Sequence, residues 1–144
     1  MGRRAAREIA LKLLYQLEIQ KDNREEQIEF VLDESTLGKN DKQYITSIID
    51  GVFSNVAHID GIIEKYSKGW KLGRLSKVDL SILRLSIFEI GFRDDIPFSV
   101  SVNEAVELAK RYSSEEAGSF VNGILSKLAE PEIEAVPEDK LVDD

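Results

Sequence analysis

The sequence contains no cysteine, one histidine (His58) and three prolines among its 144 residues. Without cysteine, a disulfide, a thiolate nucleophile and a Cys-ligated zinc site are all excluded. One histidine leaves only carboxylates as further ligands for a transition metal, so we expect no metal site and see no Ser-His-Asp arrangement. Neither the GxGxxG pattern nor the P-loop pattern occurs, so the backbone motifs that hold nucleotide phosphates are missing. We therefore predict a protein without catalytic residues and without a cofactor.

Long apolar runs are missing as well. No run approaches the roughly 18 residues that span a bilayer. The arginine-rich start is reminiscent of a signal peptide, but Glu8 and Lys12 interrupt the apolar segment that such a peptide needs. The same segment contains no serine, in which a transit peptide would be rich. We expect a cytoplasmic protein that does not contact a membrane.

Acidic charge is concentrated at the end of the chain. The formal net charge is −8, and residues 130–144 hold seven acidic residues against Lys140, which accounts for −6 of it. Pro131 and Pro137 among alternating acids predict a disordered acidic tail. The remaining body is close to neutral, so a local basic surface is compatible with the low overall isoelectric point.

Apolar residues recur at helical spacing through nearly all of residues 3–129. No alternation of period two lies between turn signals, so no sheet is expected. The fold class predicted is all-α, with about seven helices in one domain made of two packed subdomains, about 1–68 and 72–129. The predicted helices are 3–20, a short one around 28–32, 44–53, 59–66, one from Ser76 to the DDIPF break, one from Ser101 to about Tyr112, and one from Ser113 to about Leu128.

Three capping boxes support the later helix starts. Ser76 with Asp79, Ser101 with Glu104, and Ser113 with Glu116 each place a serine three residues before an acid. The segment after Ser76 is apolar around most of its circumference, so we expect this fifth helix to be central and buried.

The first helix, within MGRRAAREIALKLLYQ, concentrates basic residues on one side. A helical wheel places Arg3, Arg4, Arg7 and Tyr15 within roughly 120°, beside the apolar stripe. Guanidinium groups pair with phosphate oxygens, and an exposed tyrosine can stack on an unpaired base, so this edge suits single-stranded RNA. The alternative is a solvated helix face, which the charge pattern alone favours.

Asn122 and Gly123 interrupt the apolar seventh helix. Glycine there costs about 1 kcal/mol relative to alanine, and we interpret Gly123 as a site of close helix packing. For Asn122 two interpretations stay open: a bond to neighbouring backbone, or an amide that faces a ligand beside Phe120.

Three stretches resemble the NusB family of transcription antitermination proteins. They are RRAAREIALKLLYQ (3–16), LSKVDLSILRLSIFEI (75–90) and SVNEAVELAKRYSSEEAGSFVNGIL (101–125). The resemblance implies an all-helical, non-enzymatic protein that binds boxA RNA of ribosomal RNA operon leaders together with a small-subunit ribosomal protein, NusE. It further implies action within the RNA polymerase antitermination complex and a homodimer in some relatives.

The resemblance also assigns roles by position. Arg3, Arg4, Arg7 and Tyr15 match RNA contacts, as do Phe120 and Asn122 of the FVNG motif. Asp79, Arg84, Tyr112 and Glu116 match positions near the protein partner. This sequence departs from many relatives at two positions. Many relatives have a basic residue just before the FVNG motif, where this sequence has Ser119. Many also have a glycine after the sixth helix, where this sequence has Ser113.

Two other functions remain open on sequence alone. A NusB-like domain also precedes the catalytic domain of some ribosomal RNA cytosine methyltransferases, but this chain has no catalytic cysteine and could only be a fragment of such an enzyme. A self-associating helical scaffold is the third hypothesis.

Overall fold

Apolar residues spaced three and four apart give the first helix, α1 (Gly2–Ile19), a continuous inner face of Ala6, Ala10, Leu13 and Leu17. We describe the protein from a computed structural model, which covers residues 2–68 and 72–129. The further α-helices are α2 (Arg24–Glu34), α3 (Lys39–Ser54), α4 (Val56–Tyr66), α5 (Lys77–Phe92), α6 (Phe98–Tyr112) and α7 (Glu115–Leu125). Short 3-10 helices cover Leu72–Arg74 and Ser126–Ala129, and these ranges contain no strand. The all-α prediction is confirmed.

Helix α5 lies at the centre of the molecule. It packs against α1, α3, α4, α6 and α7, and nine of its residues are buried. One hydrophobic cluster joins side chains from both of the predicted subdomains. The division into two subdomains stays a prediction, because the proposed boundary at Gly69-Trp70 lies outside the described residues. The predicted acidic tail, 130–144, also lies outside them.

Two of the three helix starts differ from the capping-box predictions. Ser76 caps α5 as predicted, since its hydroxyl accepts a 3.0 Å hydrogen bond from Asp79 N. Helix α6, however, begins at Phe98 after Pro97, so the predicted start at Ser101 is wrong. Proline restricts Ile96 to non-helical backbone and its own φ of −60° suits a helix start, so the boundary falls at the proline. Ser101 lies buried inside the helix.

The N-cap of α7 is Ser114, one residue later than predicted. Its hydroxyl accepts a 3.0 Å hydrogen bond from Ala117 N, whereas Ser113 ends α6.

The close-packing interpretation of Gly123 is also wrong. A Cβ atom at Gly123 would meet open space, whereas one at Gly118 would lie 2.9 Å from Lys110 Cγ on α6. Gly118 is therefore the glycine that allows α6 and α7 to approach each other.

Candidate nucleic-acid and protein interface

A surface groove of about 600 Å³ separates the start of α1 from the segment that leads into α6. Its lining residues are Arg3, Arg4, Arg7, Asp95, Ile96, Pro97, Val100 and Glu104. The groove brings together the three arginines selected from the sequence. It does not include Tyr15, Phe120 or Asn122.

Arg7 is buried beneath this groove. Its Nε donates to Glu89 Oε2 at 2.9 Å and its Nη2 donates to Oε1 at 3.1 Å. The wheel prediction that Arg7 lies outside the apolar stripe is wrong, because the residues one and two turns later on its face, Leu11 and Leu14, are both buried. Arg7 therefore joins α1 to α5 instead of pointing into solvent.

Glu89 is the acceptor for four hydrogen bonds in the interior. Besides the two from Arg7, Ser101 Oγ donates to Oε1 at 2.8 Å and the Tyr44 hydroxyl donates to Oε2. An ionised carboxylate has about four lone-pair positions, and here each is used. This single side chain thus connects α1, α3, α5 and α6.

Tyr44 packs at the centre of the arginine cluster. Burial raises the pKa of its phenol well above the usual value, and the charge and hydrogen bond of Glu89 add to the increase. Its ring lies 4.4 Å from the guanidinium carbon of Arg3 and 5.4 Å from that of Arg93. Contacts of this kind are attractive within about 6 Å. The ring therefore helps to hold Arg3 at this surface, where Arg3 also donates a long 3.4 Å hydrogen bond to Asp41.

Arg4 is the most accessible of the three arginines. Its side chain is 65% exposed, and its Nε and Nη2 donate to the two carboxylate oxygens of Glu104 at 3.1 and 2.7 Å. The hydrogen bond from Arg4 lowers the pKa of Glu104 below its usual value, in spite of partial burial. Both groups are charged near neutral pH.

The same edge of α1 continues toward the end of α6. Glu8 pairs with Arg111, and Lys12 Nζ lies 5.7 Å from the centre of the Tyr112 ring. Tyr15 is 39% exposed further along α1. Arg4 and Tyr15 share one side of the helix and lie about 16 Å apart along its axis.

The two predicted residues of α7 differ in exposure. Asn122 is exposed, and Phe120 is partly buried against the core. Ser119 beside them is exposed and uncharged.

The four predicted partner contacts lie on α5 and around the α6–α7 turn. Arg84 forms intramolecular ion pairs: it makes a bidentate pair with Asp60 and donates a further hydrogen bond to Glu18. Asp79 differs, because its Oδ1 is buried and has no hydrogen-bond partner among the described residues. Glu116 is exposed in the first turn of α7, and Tyr112 is partly buried beneath Lys12.

Sequence reasoning missed the acids that organise the arginines. Glu89 could have been noticed, because it is the one charged residue after Arg84 in a helix predicted to be buried, and a buried charge needs a partner. From the sequence, Glu104 is assigned only to the capping box that begins at Ser101. No signal in the local sequence connects Glu104 to Arg4, which lies 100 positions away.

These features define a small all-helical protein with an arginine-bearing helix edge that buried and partly buried acids hold in place. A sequence model of the NusB family matches residues 4–130. The chain belongs to the NusB family of transcription antitermination proteins. Within the described residues no helix is long and apolar enough to cross a membrane, and no cluster of three or more His, Asp or Glu side chains could hold a metal ion.

Individual relatives agree with this assignment. The chain is 66% identical over 128 residues to transcription antitermination protein NusB of Acetivibrio thermocellus, covering 89% of this chain and 88% of that protein. The corresponding protein of Ruminiclostridium cellulolyticum is 62% identical over 133 residues, 92% of either chain.

Two solved structures are similar over most of their length. T. maritima NusB has a TM-score of 0.83 and 41% identity, covering 97% of this chain and 96% of that one. The structure of antitermination factors NusB and NusE in complex with dsRNA has a TM-score of 0.79 and 31% identity, covering 88% and 95%.

Proposed function

We propose that this chain is a non-enzymatic, cytoplasmic RNA-binding factor that binds boxA leader RNA of ribosomal RNA operons together with NusE, within the RNA polymerase antitermination complex. A similar NusB in complex with NusE and dsRNA supports RNA and NusE as partners. The observation that supports an RNA contact is the exposed guanidinium of Arg4, which lines the groove between α1 and the segment leading into α6. Arginine binds phosphate through paired hydrogen bonds.

The proposed RNA surface is the outer edge of α1 and its surroundings. Arg3 and Arg4 contact phosphates, Tyr15 stacks on a base, and Phe120 and Asn122 of α7 extend the contact. Arg7 contributes as a positioning residue, since its guanidinium is buried and fully engaged with Glu89. A homodimer is a separate possibility, which light scattering with and without RNA would detect.

Replacing Arg4 with alanine is expected to weaken binding of labelled single-stranded boxA RNA several-fold. Each lost phosphate contact should also reduce the slope of log K against log salt by roughly 0.7 for a single strand. Titrations at several salt concentrations measure both quantities, and circular dichroism checks that helicity is unchanged. The matched control is Arg74→Ala, an exposed arginine that does not line the groove. Equal losses in the two variants would contradict an RNA site at Arg4.

A second prediction concerns the protein partner. The buried Oδ1 of Asp79 has no hydrogen-bond partner among residues 2–68 and 72–129, and a donor from NusE that reaches it would remove the cost of that isolation. Asp79→Arg should therefore weaken NusE binding more than tenfold, since a hydrogen bond to a charged group contributes about 1.5–3 kcal/mol. Binding of isolated RNA should change little.

Titration calorimetry with NusE and a separate RNA titration compare these two effects. Asp50→Arg serves as the control, because Asp50 is exposed on α3 and the same charge is reversed there. If Asp79→Arg reduces RNA and NusE binding equally, Asp79 belongs to a different surface.

A further inference from the structure

The arginines of the groove differ in how firmly an acid holds them. The side chains of Arg7 and Glu89 are 5% and 1% exposed, so their pair cannot open without leaving buried charge unpaired. Arg3 has a single 3.4 Å bond to Asp41 and is otherwise held by the Tyr44 ring. Among these three arginines, only Arg4 combines high exposure with a bidentate ion pair, which it forms with Glu104 on α6.

We propose that Glu104 competes with RNA phosphate for Arg4, so that RNA binding at this edge proceeds by exchange of a carboxylate for a phosphate. This inference rests on the proposed RNA-binding function and deepens it. A carboxylate and a phosphate each present two oxygens to one edge of a guanidinium. Glu104 already occupies the Nε and Nη2 edge of Arg4, so a phosphate that makes its paired contact through this edge must displace the carboxylate.

The geometry also shows which partner moves. Glu104 is 17% exposed, whereas Arg4 is 65% exposed and can rotate into solvent. After the exchange, the Glu104 carboxylate remains beside the bound phosphate, and the two like charges repel each other. Glu104 therefore lowers RNA affinity in two ways, by occupying Arg4 and by repelling the strand that replaces it.

Glu104→Gln tests this inference against a closely matched control. Glutamine keeps the size of the side chain and removes its charge. Glu107→Gln removes the same charge three residues later on α6, where the exposed side chain is close enough to act on Arg4 electrostatically but forms no ion pair with it. We expect Glu104→Gln to bind labelled boxA RNA several-fold more tightly than the wild type, and Glu107→Gln to show a clearly smaller gain.

A double-mutant cycle separates competition for Arg4 from a general charge effect. In an Arg4→Ala background the competition no longer exists and only direct repulsion of the strand remains, so the gain from Glu104→Gln should be clearly smaller than it is in the presence of Arg4. Equal gains from the two glutamine variants in the presence of Arg4 would overturn the inference. A loss of affinity in Glu104→Gln would also overturn it, and would show instead that Glu104 holds Arg4 in its binding position.

The same titrations distinguish this result from failure of the proposed function. If no variant, including the wild type, binds RNA alone or with NusE, the proposed function and this inference fail together. A different outcome refutes only the exchange of carboxylate for phosphate. In that outcome the wild type binds RNA, Arg4→Ala weakens binding, and Glu104→Gln and Glu107→Gln bind RNA with equal affinity. The proposed function then stands. Thermal unfolding of each variant checks that changes in affinity do not come from loss of structure.

Discussion

Glu89→Ala should destabilise the folded protein by about 3–5 kcal/mol, the cost of removing one partner from a buried ion pair. The change leaves the Arg7 guanidinium charged in the interior and removes the acceptor for Tyr44 and Ser101. Since domains of this size are stable by about 5–15 kcal/mol, the loss is a large part of the total. Urea unfolding followed by circular dichroism measures it directly.

Two further variants test the explanation. Glu89→Gln keeps the shape but turns an amide NH2 toward groups that are themselves donors, so it should also destabilise the protein. Glu107→Ala on the surface of α6 should change stability by no more than about 0.5 kcal/mol. A loss of less than about 1 kcal/mol in Glu89→Ala would show that Arg7 finds another partner and that the four-bond arrangement is not essential.

The same reasoning changes how Arg7 variants are interpreted. Arg7→Ala leaves the Glu89 carboxylate without its charged partner, so it should destabilise the fold by a comparable amount. A loss of RNA binding in Arg7→Ala would then reflect a displaced α1 as much as a missing contact. Arg4→Ala is the cleaner test of phosphate binding, because its side chain is exposed.

Local rules predicted most of the helices because their determinants are local. The spacing of apolar residues defined the inner face of α1, and the apolar circumference after Ser76 predicted the buried position of α5. The same rules failed where a side chain had two possible uses. Ser101 matched a capping pattern, but Pro97 determined the start of α6 and left the serine free to bind Glu89.

The electrostatic partners of the site depend on tertiary structure. Arg7 and Glu89 are 82 positions apart, and Arg4 and Glu104 are 100 apart. Spacing along the chain predicts neighbours within a helix but says nothing about which helices meet. The sequence therefore indicated the basic edge, but it could not show that one arginine is buried and another is paired at the surface.

Arg84→Met should destabilise the protein by about 2–3 kcal/mol, between the values for buried and for surface pairs. Arg84 joins α5 to Asp60 on α4 and to Glu18 on α1, with hydrogen bonds of 2.8–2.9 Å. Methionine keeps much of the apolar stem but removes the cation from Asp60 and leaves Glu18 with only its longer 3.5 Å pair to Lys21.

The destabilisation should depend on pH in a defined direction. Burial opposes the charged form of Glu18, but the hydrogen bond and charge of Arg84 outweigh it and lower the pKa of Glu18 below its usual value near 4.5. Glu18 therefore stabilises the wild type above that value, and its contribution is lost as the pH falls through the lower pKa of the folded state. In Arg84→Met the part of this contribution that comes from Arg84 is already missing, and only that of Lys21 remains.

The difference in unfolding free energy between wild type and Arg84→Met should accordingly be largest near pH 7 and shrink as the pH is lowered below about 4.5. Urea unfolding at pH 7, 5 and 4 follows this change, with Lys77→Met, an exposed lysine at the start of α5, as the control. A difference that stays constant with pH would mean that lost packing of the arginine stem, and not the ion pairs, accounts for the effect. Because Arg84 is occupied within the protein, weaker NusE binding by this variant should parallel its lost stability, whereas Asp79→Arg should weaken NusE binding without unfolding the chain.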